Sequence, residues 1–183
     1  MFSCLYFVIL ISGTLLSYFL VPSLVIHGHT NSLLSKNLFF VFYLTGLVYL
    51  IANKKCSLYM LHLFRRLIEC YFFRYKRSRM NILQFLLGIS YYIIMADHIM
   101  HYDLRFTMVF FLLNIGQSIS HYFAFKQIST FIHYYVEFLI HFYLFLRIKS
   151  LTLFLNLIWL ALFIGITIKT RAPLHAYKYK KSD

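Results

Sequence analysis

The chain has 183 residues, 61% of them hydrophobic and 21% aromatic, with a formal net charge of +13. Soluble domains hold about 45–50% apolar residues. The acidic side chains are only Glu69, Asp97, Asp103, Glu137 and Asp183, too few to solvate a soluble surface of this size. A water-soluble domain is therefore excluded. A nucleic-acid partner is not expected either, because the basic residues sit at the ends of apolar runs, where anionic headgroups are the simpler partner.

Seven apolar runs follow one another. The first, Cys4 to about Ile26, has no Lys or Arg before it and no convincing small-residue cleavage site after it. It reads as a retained span rather than a cleaved signal peptide. The second covers about Leu38–Ala52. The third, about Ser57–Phe73, is interrupted by Arg65, Arg66 and Glu69, so it should turn that face to protein or a cavity rather than to lipid. The fourth and fifth cover about Met80–Ala96 and Phe106–Phe125. The sixth, about Ser129–Leu146, carries Glu137 near its middle, and the seventh, about Leu151–Ile168, holds the single Trp before a short basic tail. Backbone groups in hydrocarbon must pair within their own segment. The expected fold is thus all-α: one membrane helix bundle of about seven transmembrane helices over residues 1–183. With the N-terminus lumenal, thirteen of the eighteen Lys and Arg residues fall on the cytosolic side, which predicts a cytosolic C-terminus.

Polar residues inside these runs are the informative ones, since a charge at mid-bilayer costs about 3 kcal/mol. Glu137 has His133 one turn before it and His141 one turn after, on one helix face. It would either hold a cofactor amide or a proton, or seal a helix contact. Asn114, Gln117 and His121 follow one another at helical spacing, as do His62, Arg66 and Glu69 beside Arg65. Paired arginines suit phosphate, or they snorkel to headgroups from a cytosolic helix end. His98, His101 and Asp103, and likewise His27 and His29, read as interface and loop residues, and no metal site is expected. Cys4, Cys56 and Cys70 lack metal or redox spacing and read as buried thiols.

The stretch LHLFRRLIECYFFRYKRSRMNILQFLLGISYY resembles the steroid 5-alpha-reductase superfamily, its polyprenol reductase branch in particular. GHTNSLLSKNLFFVFYLTGL upstream, Gln117-x-x-x-His121 and HYYVE at His133–Glu137 are similar to further motifs of that branch, in the same order over residues 28–137. Departures are the short FAFKQISTFI connection, with Lys126 its sole basic residue, Ile132 where the branch has Pro, and a reduced closing segment, APLHAYKYKKSD. The resemblance implies seven membrane helices in the endoplasmic reticulum, with NADPH in a polar cavity open to the cytosol. It places Glu137, Gln117 and His121 around the nicotinamide ribose, with His133 in the cofactor-binding set. Arg66 with Arg65 would meet phosphates, His62 would stand near the substrate, and Tyr177 would follow the last helix. His62 and Glu137 are the expected catalytic residues. The implied activity is NADPH-dependent reduction of the α-double bond of an isoprenoid lipid, for dolichol synthesis and N-glycosylation. A simple allylic alcohol has no electron sink, so the expected acceptor is the α,β-unsaturated polyprenal. Alternatives are a trans-2-enoyl-CoA reductase or another enzyme on the same fold, a membrane methyltransferase, and a non-catalytic membrane protein.

Overall fold

The computed structural model describes residues 2–24, 34–73, 79–126 and 131–179, the side chains of 23, 36 and 171–179 excepted. Seven α-helices carry the described chain: α1 (Phe2–Leu20), α2 (Phe39–Ala52), α3 (Leu58–Phe72), α4 (Ile82–Met100), α5 (Met108–Phe125), α6 (Ile132–Ile148) and α7 (Leu151–Tyr179). A two-residue antiparallel pair, β1 (Leu34–Ser35) with β2 (Arg79–Met80), ties the approach to α2 to the approach to α4.

Local chemistry sets the helix starts. Ser57 accepts from the Tyr59 amide at the head of α3, and Thr107 accepts from Phe110 at the head of α5. Asn81 and Gln84 form a reciprocal capping box at the head of α4. Lys149, with φ 53°, turns the chain sharply out of α6. Ser150 then accepts from the Leu153 amide, so α7 begins after only two residues.

The helices close into a ring in which each packs mainly on two others, in the order α1–α7–α6–α5–α3–α2–α4 and back to α1. Directions alternate along the chain. Cys4 meets Thr152 and Thr14 meets Trp159, so α1 and α7 run parallel. His62 meets Asn114 and Glu69 meets His121, which makes α3 and α5 parallel as well. Thr107 meets Tyr143 while His121 stacks near His133, so α5 and α6 are antiparallel. One end of the ring therefore gathers the starts of α1, α3, α5 and α7, and the other gathers their C-terminal portions.

Four helices are long and apolar enough to cross a membrane: α1, α4, α5 and the Leu151–Thr170 part of α7. Helix α2 has 14 residues, α3 has 15 and α6 has 17. At 1.5 Å per residue α2 is about 21 Å long, against a hydrocarbon thickness of about 30 Å. Many large apolar side chains are exposed on the described helices, and α3 shows why a membrane is the fitting solvent. Phe64, Ile68, Tyr71 and Phe72 point outward, whereas His62, Arg66 and Glu69 are buried. That is the inverse of a soluble amphipathic helix. The arginines do not snorkel to an interface; they turn into the bundle.

Packing between α2 and α4 depends on two glycines. A Cβ on Gly46 would lie 3.2 Å from Leu63 and from the Tyr92 carbonyl, and one on Gly88 would fall 2.4 Å from the Phe42 ring. Phe42 is itself held by Phe39, Phe85 and Tyr92, so it has little room to yield. Gly88→Ala should therefore destabilise the fold by about 1–3 kcal/mol, read as a lower melting temperature in detergent. Adding Phe42→Leu should recover most of the loss.

Two expectations are corrected here. Cys56 is exposed, because it lies in the α2–α3 loop; Cys4 and Cys70 are half-buried. Helix α7 runs through Tyr179, so Tyr177 lies on the last helix rather than after it. Its side chain is outside the described residues, as are His27, His29, Arg74, Lys76 and Arg77.

Candidate functional site

The inner face of α3 carries the largest polar cluster. Arg65 and Arg66 both pair with Glu69, Arg66 Nη1 lying 2.5 Å from Glu69 Oε2. Glu69 also accepts from Ser118 at 2.7 Å and lies 2.8 Å from His121 Nδ1. Arg66 donates to the Tyr43 hydroxyl at 2.6 Å, with its guanidinium 4.8 Å from that ring's centre. Arg65 donates to Asn114 Oδ1 at 2.9 Å and to Gln117 Oε1 at 2.6 Å. Helices α2, α3 and α5 are thus joined through five charged or ring-bearing side chains and three neutral ones. A buried carboxylate alone would be strongly disfavoured, and here two guanidinium groups and a hydroxyl meet it.

A second cluster continues the first into the middle of the bundle. His62 Nδ1 lies 3.3 Å from Asn114 Oδ1, which links His62 to Arg65. The His62 ring stacks on Tyr59 with centroids 5.5 Å apart, and meets His141 of α6 edge-on at 5.9 Å. His141 Nδ1 is 3.1 Å from Asn156 Nδ2, and Asn156 Oδ1 accepts from the Tyr91 hydroxyl at 2.9 Å. Hydrogen bonds thus join α4, α7 and α6 on one side and α3 and α5 on the other, and the His62–His141 ring contact brings the two sets together.

Of the residues drawn from the sequence, Arg65, Arg66, Gln117 and His121 share one network, and His62 joins it through Asn114. The His133 ring lies 5.1 Å from that of His121. Glu137 is half-buried one turn further along α6. It lies within electrostatic reach of Arg66, Arg65 and Glu69, and its carboxylate accepts no hydrogen bond from the described residues. Sequence reasoning gave no role to Tyr43, Tyr59, Tyr91, Ser118 or Asn156. Neutral polar and aromatic residues on greasy helices are common, and only their partners on distant helices single them out. His98 is bonded to Ser150 at 2.8 Å and Asp97 to Tyr49 at 2.7 Å, so both tie helix ends together.

Three buried polar atoms make no hydrogen bond among the described residues: Tyr59 Oη, His62 Nε2 and Gln117 Nε2. Buried polar atoms are seldom left so. With the Glu137 carboxylate they form a set of donors and acceptors suited to a polar ligand. A carboxamide needs one acceptor for its N–H groups and one donor for its oxygen; Glu137 and Gln117 Nε2 supply that pair. The residues thus fit the nicotinamide end of NADPH. For phosphate, the Arg65–Arg66–Glu69 group carries a net positive charge, although Glu69 already holds donors of both arginines. No known protein family, curated protein or solved structure matches this chain.

Proposed function

We propose that this chain is an NADPH-dependent reductase of the α-double bond of a polyprenoid lipid, spanning the endoplasmic reticulum membrane seven times with its C-terminus cytosolic. The observation that carries the reading is the convergence of Arg65, Arg66, Gln117 and His121, from two helices, on one buried cluster within electrostatic reach of Glu137. The four were singled out in the sequence, first as polar residues inside apolar runs and then by the resemblance, without spatial information. In the proposed orientation this cluster lies in the cytosolic half of the bundle, the side from which a soluble nucleotide arrives.

In this reading Gln117 and Glu137 hold the carboxamide, His121 and His133 border the ribose, and the arginines face the phosphates. The cofactor, when bound, supplies a hydride. An α,β-unsaturated aldehyde accepts it at the β-carbon because the charge passes to the aldehyde oxygen; the enolate then takes a proton from solvent at the α-carbon, giving the saturated aldehyde. The protein's part is to orient the enal, keep water away and place a hydrogen-bond donor at that oxygen. His62 and Tyr59 bring buried polar atoms to the deeper end of the site. The lipid tail needs only apolar walls. A cavity of about 190 Å³ between α1 and α4, lined by Ile9, Leu10, Leu83 and Leu87 among others, offers such walls next to the bilayer.

Complementation tests the reading. Cells lacking polyprenol reductase should regain dolichol and N-glycosylation when they express this chain. Membranes from those cells should transfer deuterium from the labelled dihydronicotinamide of NADPH to the saturated lipid. Failure of both would overturn the proposal. Label transfer to an enoyl-CoA instead would move the activity to that substrate class.

A further inference from the structure

We propose that His141, a residue outside the set drawn from the sequence resemblance, is the hydrogen-bond donor that meets the substrate oxygen, with Asn156 and Tyr91 as the positioning residues that fix its tautomer. The inference rests on the reductase reading and deepens it. It begins with the hydrogen-bond directions inside the bundle. The Tyr91 hydroxyl donates to Asn156 Oδ1 at 2.9 Å, which leaves Asn156 Nδ2 pointing at His141 Nδ1, 3.1 Å away. The opposite orientation of the Asn156 amide would make the same number of hydrogen bonds but leave the buried Tyr91 proton, rather than the His141 Nε2 proton, without an acceptor. An amide nitrogen only donates. His141 Nδ1 must then be the bare, accepting nitrogen, and the ring proton sits on Nε2. No hydrogen bond to that nitrogen is found among the described residues.

The neighbouring histidine has the other polarity. Asn114 Nδ2 donates to the Phe110 carbonyl at 2.8 Å, so Asn114 Oδ1 faces His62 Nδ1 as an acceptor. His62 Nδ1 faces both this oxygen at 3.3 Å and Arg65 Nη2 at 3.4 Å; with its proton on Nδ1 toward the nearer acceptor, the buried Nε2 is an acceptor without a hydrogen bond among the described residues. The two rings meet edge-on at 5.9 Å. Side by side, then, are one fixed donor and one fixed acceptor, with the Tyr59 hydroxyl beside them. An aldehyde oxygen only accepts, and of these groups His141 offers it a proton whose direction is set in advance. Preorganised donors of this kind are the ones that stabilise charge developing on oxygen. Tyr59 can rotate its hydroxyl, and His62 has its proton turned toward Asn114. The alcohol form of the lipid, with one proton and two lone pairs, would use His141 and His62 together.

The test uses the full chain in phospholipid nanodiscs, with NADPH and farnesal, a short α,β-unsaturated isoprenoid aldehyde. Asn156→Asp is nearly isosteric but presents only acceptors to His141, so the ring proton moves to Nδ1 and Nε2 is left bare. Nitrogen-15 spectra of histidine-labelled protein should show that change of tautomer, and kcat should fall about a hundredfold with KM for NADPH unchanged. His141→Gln, which keeps a side-chain N–H, should retain more activity than His141→Phe; this pair carries the test should Asn156→Asp not fold. A changed tautomer with kcat within twofold of wild type would overturn the proposal, as would an unchanged histidine spectrum in folded Asn156→Asp. If the wild type neither reduces farnesal nor complements the deficient cells, the reductase reading fails on its own. The oxygen site is then judged by binding: farnesal shifting the His141 Nε2 resonance supports it, and an unmoved resonance overturns it.

Discussion

Glu69→Ala is expected to remove about 3–5 kcal/mol of stability, enough to lower the yield of folded protein in membranes as well as its melting temperature. The reason is the number of groups that depend on one carboxylate. Arg65, Arg66, Ser118 and His121 all contact Glu69. Without it two guanidinium groups on adjacent residues face each other in an apolar bundle, and Tyr43, Asn114 and Gln117 are left as neutral partners for two positive charges. Removing one member of a buried ion group is costly because the others stay charged. Removing all the charges together should be much milder. The triple variant Glu69→Ala, Arg65→Leu, Arg66→Met is therefore expected to melt closer to the wild type than Glu69→Ala alone. Thermal unfolding in detergent, followed by helical circular dichroism, gives both values. A single variant that melts like the wild type would show that the arginines reach headgroups or water once released.

How far the chain could be read beforehand differs between its outside and its inside. The seven helices fall on the seven apolar runs because apolar segments must pair their backbone groups internally, and that composition is visible locally. The inward face of α3 was legible in part: Arg65, Arg66 and Glu69 at helical spacing either turn inward or snorkel to headgroups, and the structure turns them inward. Their partners were legible only in part. Gln117 and His121 were marked by a motif, whereas Tyr43 lies 23 residues from Arg66 and Asn156 lies 65 from Tyr91. Nothing local distinguishes these from ordinary interfacial Tyr and Asn. The partners of the histidines were not legible at all: His62 and His141 meet Asn114 and Asn156 on other helices. Cys56 shows the reverse error, a residue type that is usually buried placed in a connection that must be exposed.

Glu137→Gln should behave in the opposite way to Glu69→Ala, losing activity while the fold persists. Glu137 is an acid inside an apolar helix that accepts no hydrogen bond from the described residues. The substitution is isosteric and leaves no described protein group without its partner, so the melting temperature should stay close to that of the wild type. What changes is the chemistry offered to the cofactor. A carboxylate accepts from both N–H groups of a carboxamide, whereas a glutamine can turn an N–H toward an N–H. Hydrogen bonds to a charged group contribute about 1.5–3 kcal/mol, which corresponds to roughly a 10- to 150-fold loss in kcat/KM for NADPH. Gln117→Glu should fail in the same assay, for it removes the complementary donor and adds a second negative charge. It also loses no protein partner of Gln117 Nε2, which has none among the described residues. Exchanging the two residues, Glu137→Gln with Gln117→Glu, keeps one donor and one acceptor with the order reversed. Partial recovery in the exchanged protein, with the arginine cluster intact in Glu137→Gln, is the expected outcome. Turnover with unaltered KM for NADPH in Glu137→Gln would separate Glu137 from the cofactor and return it to helix packing.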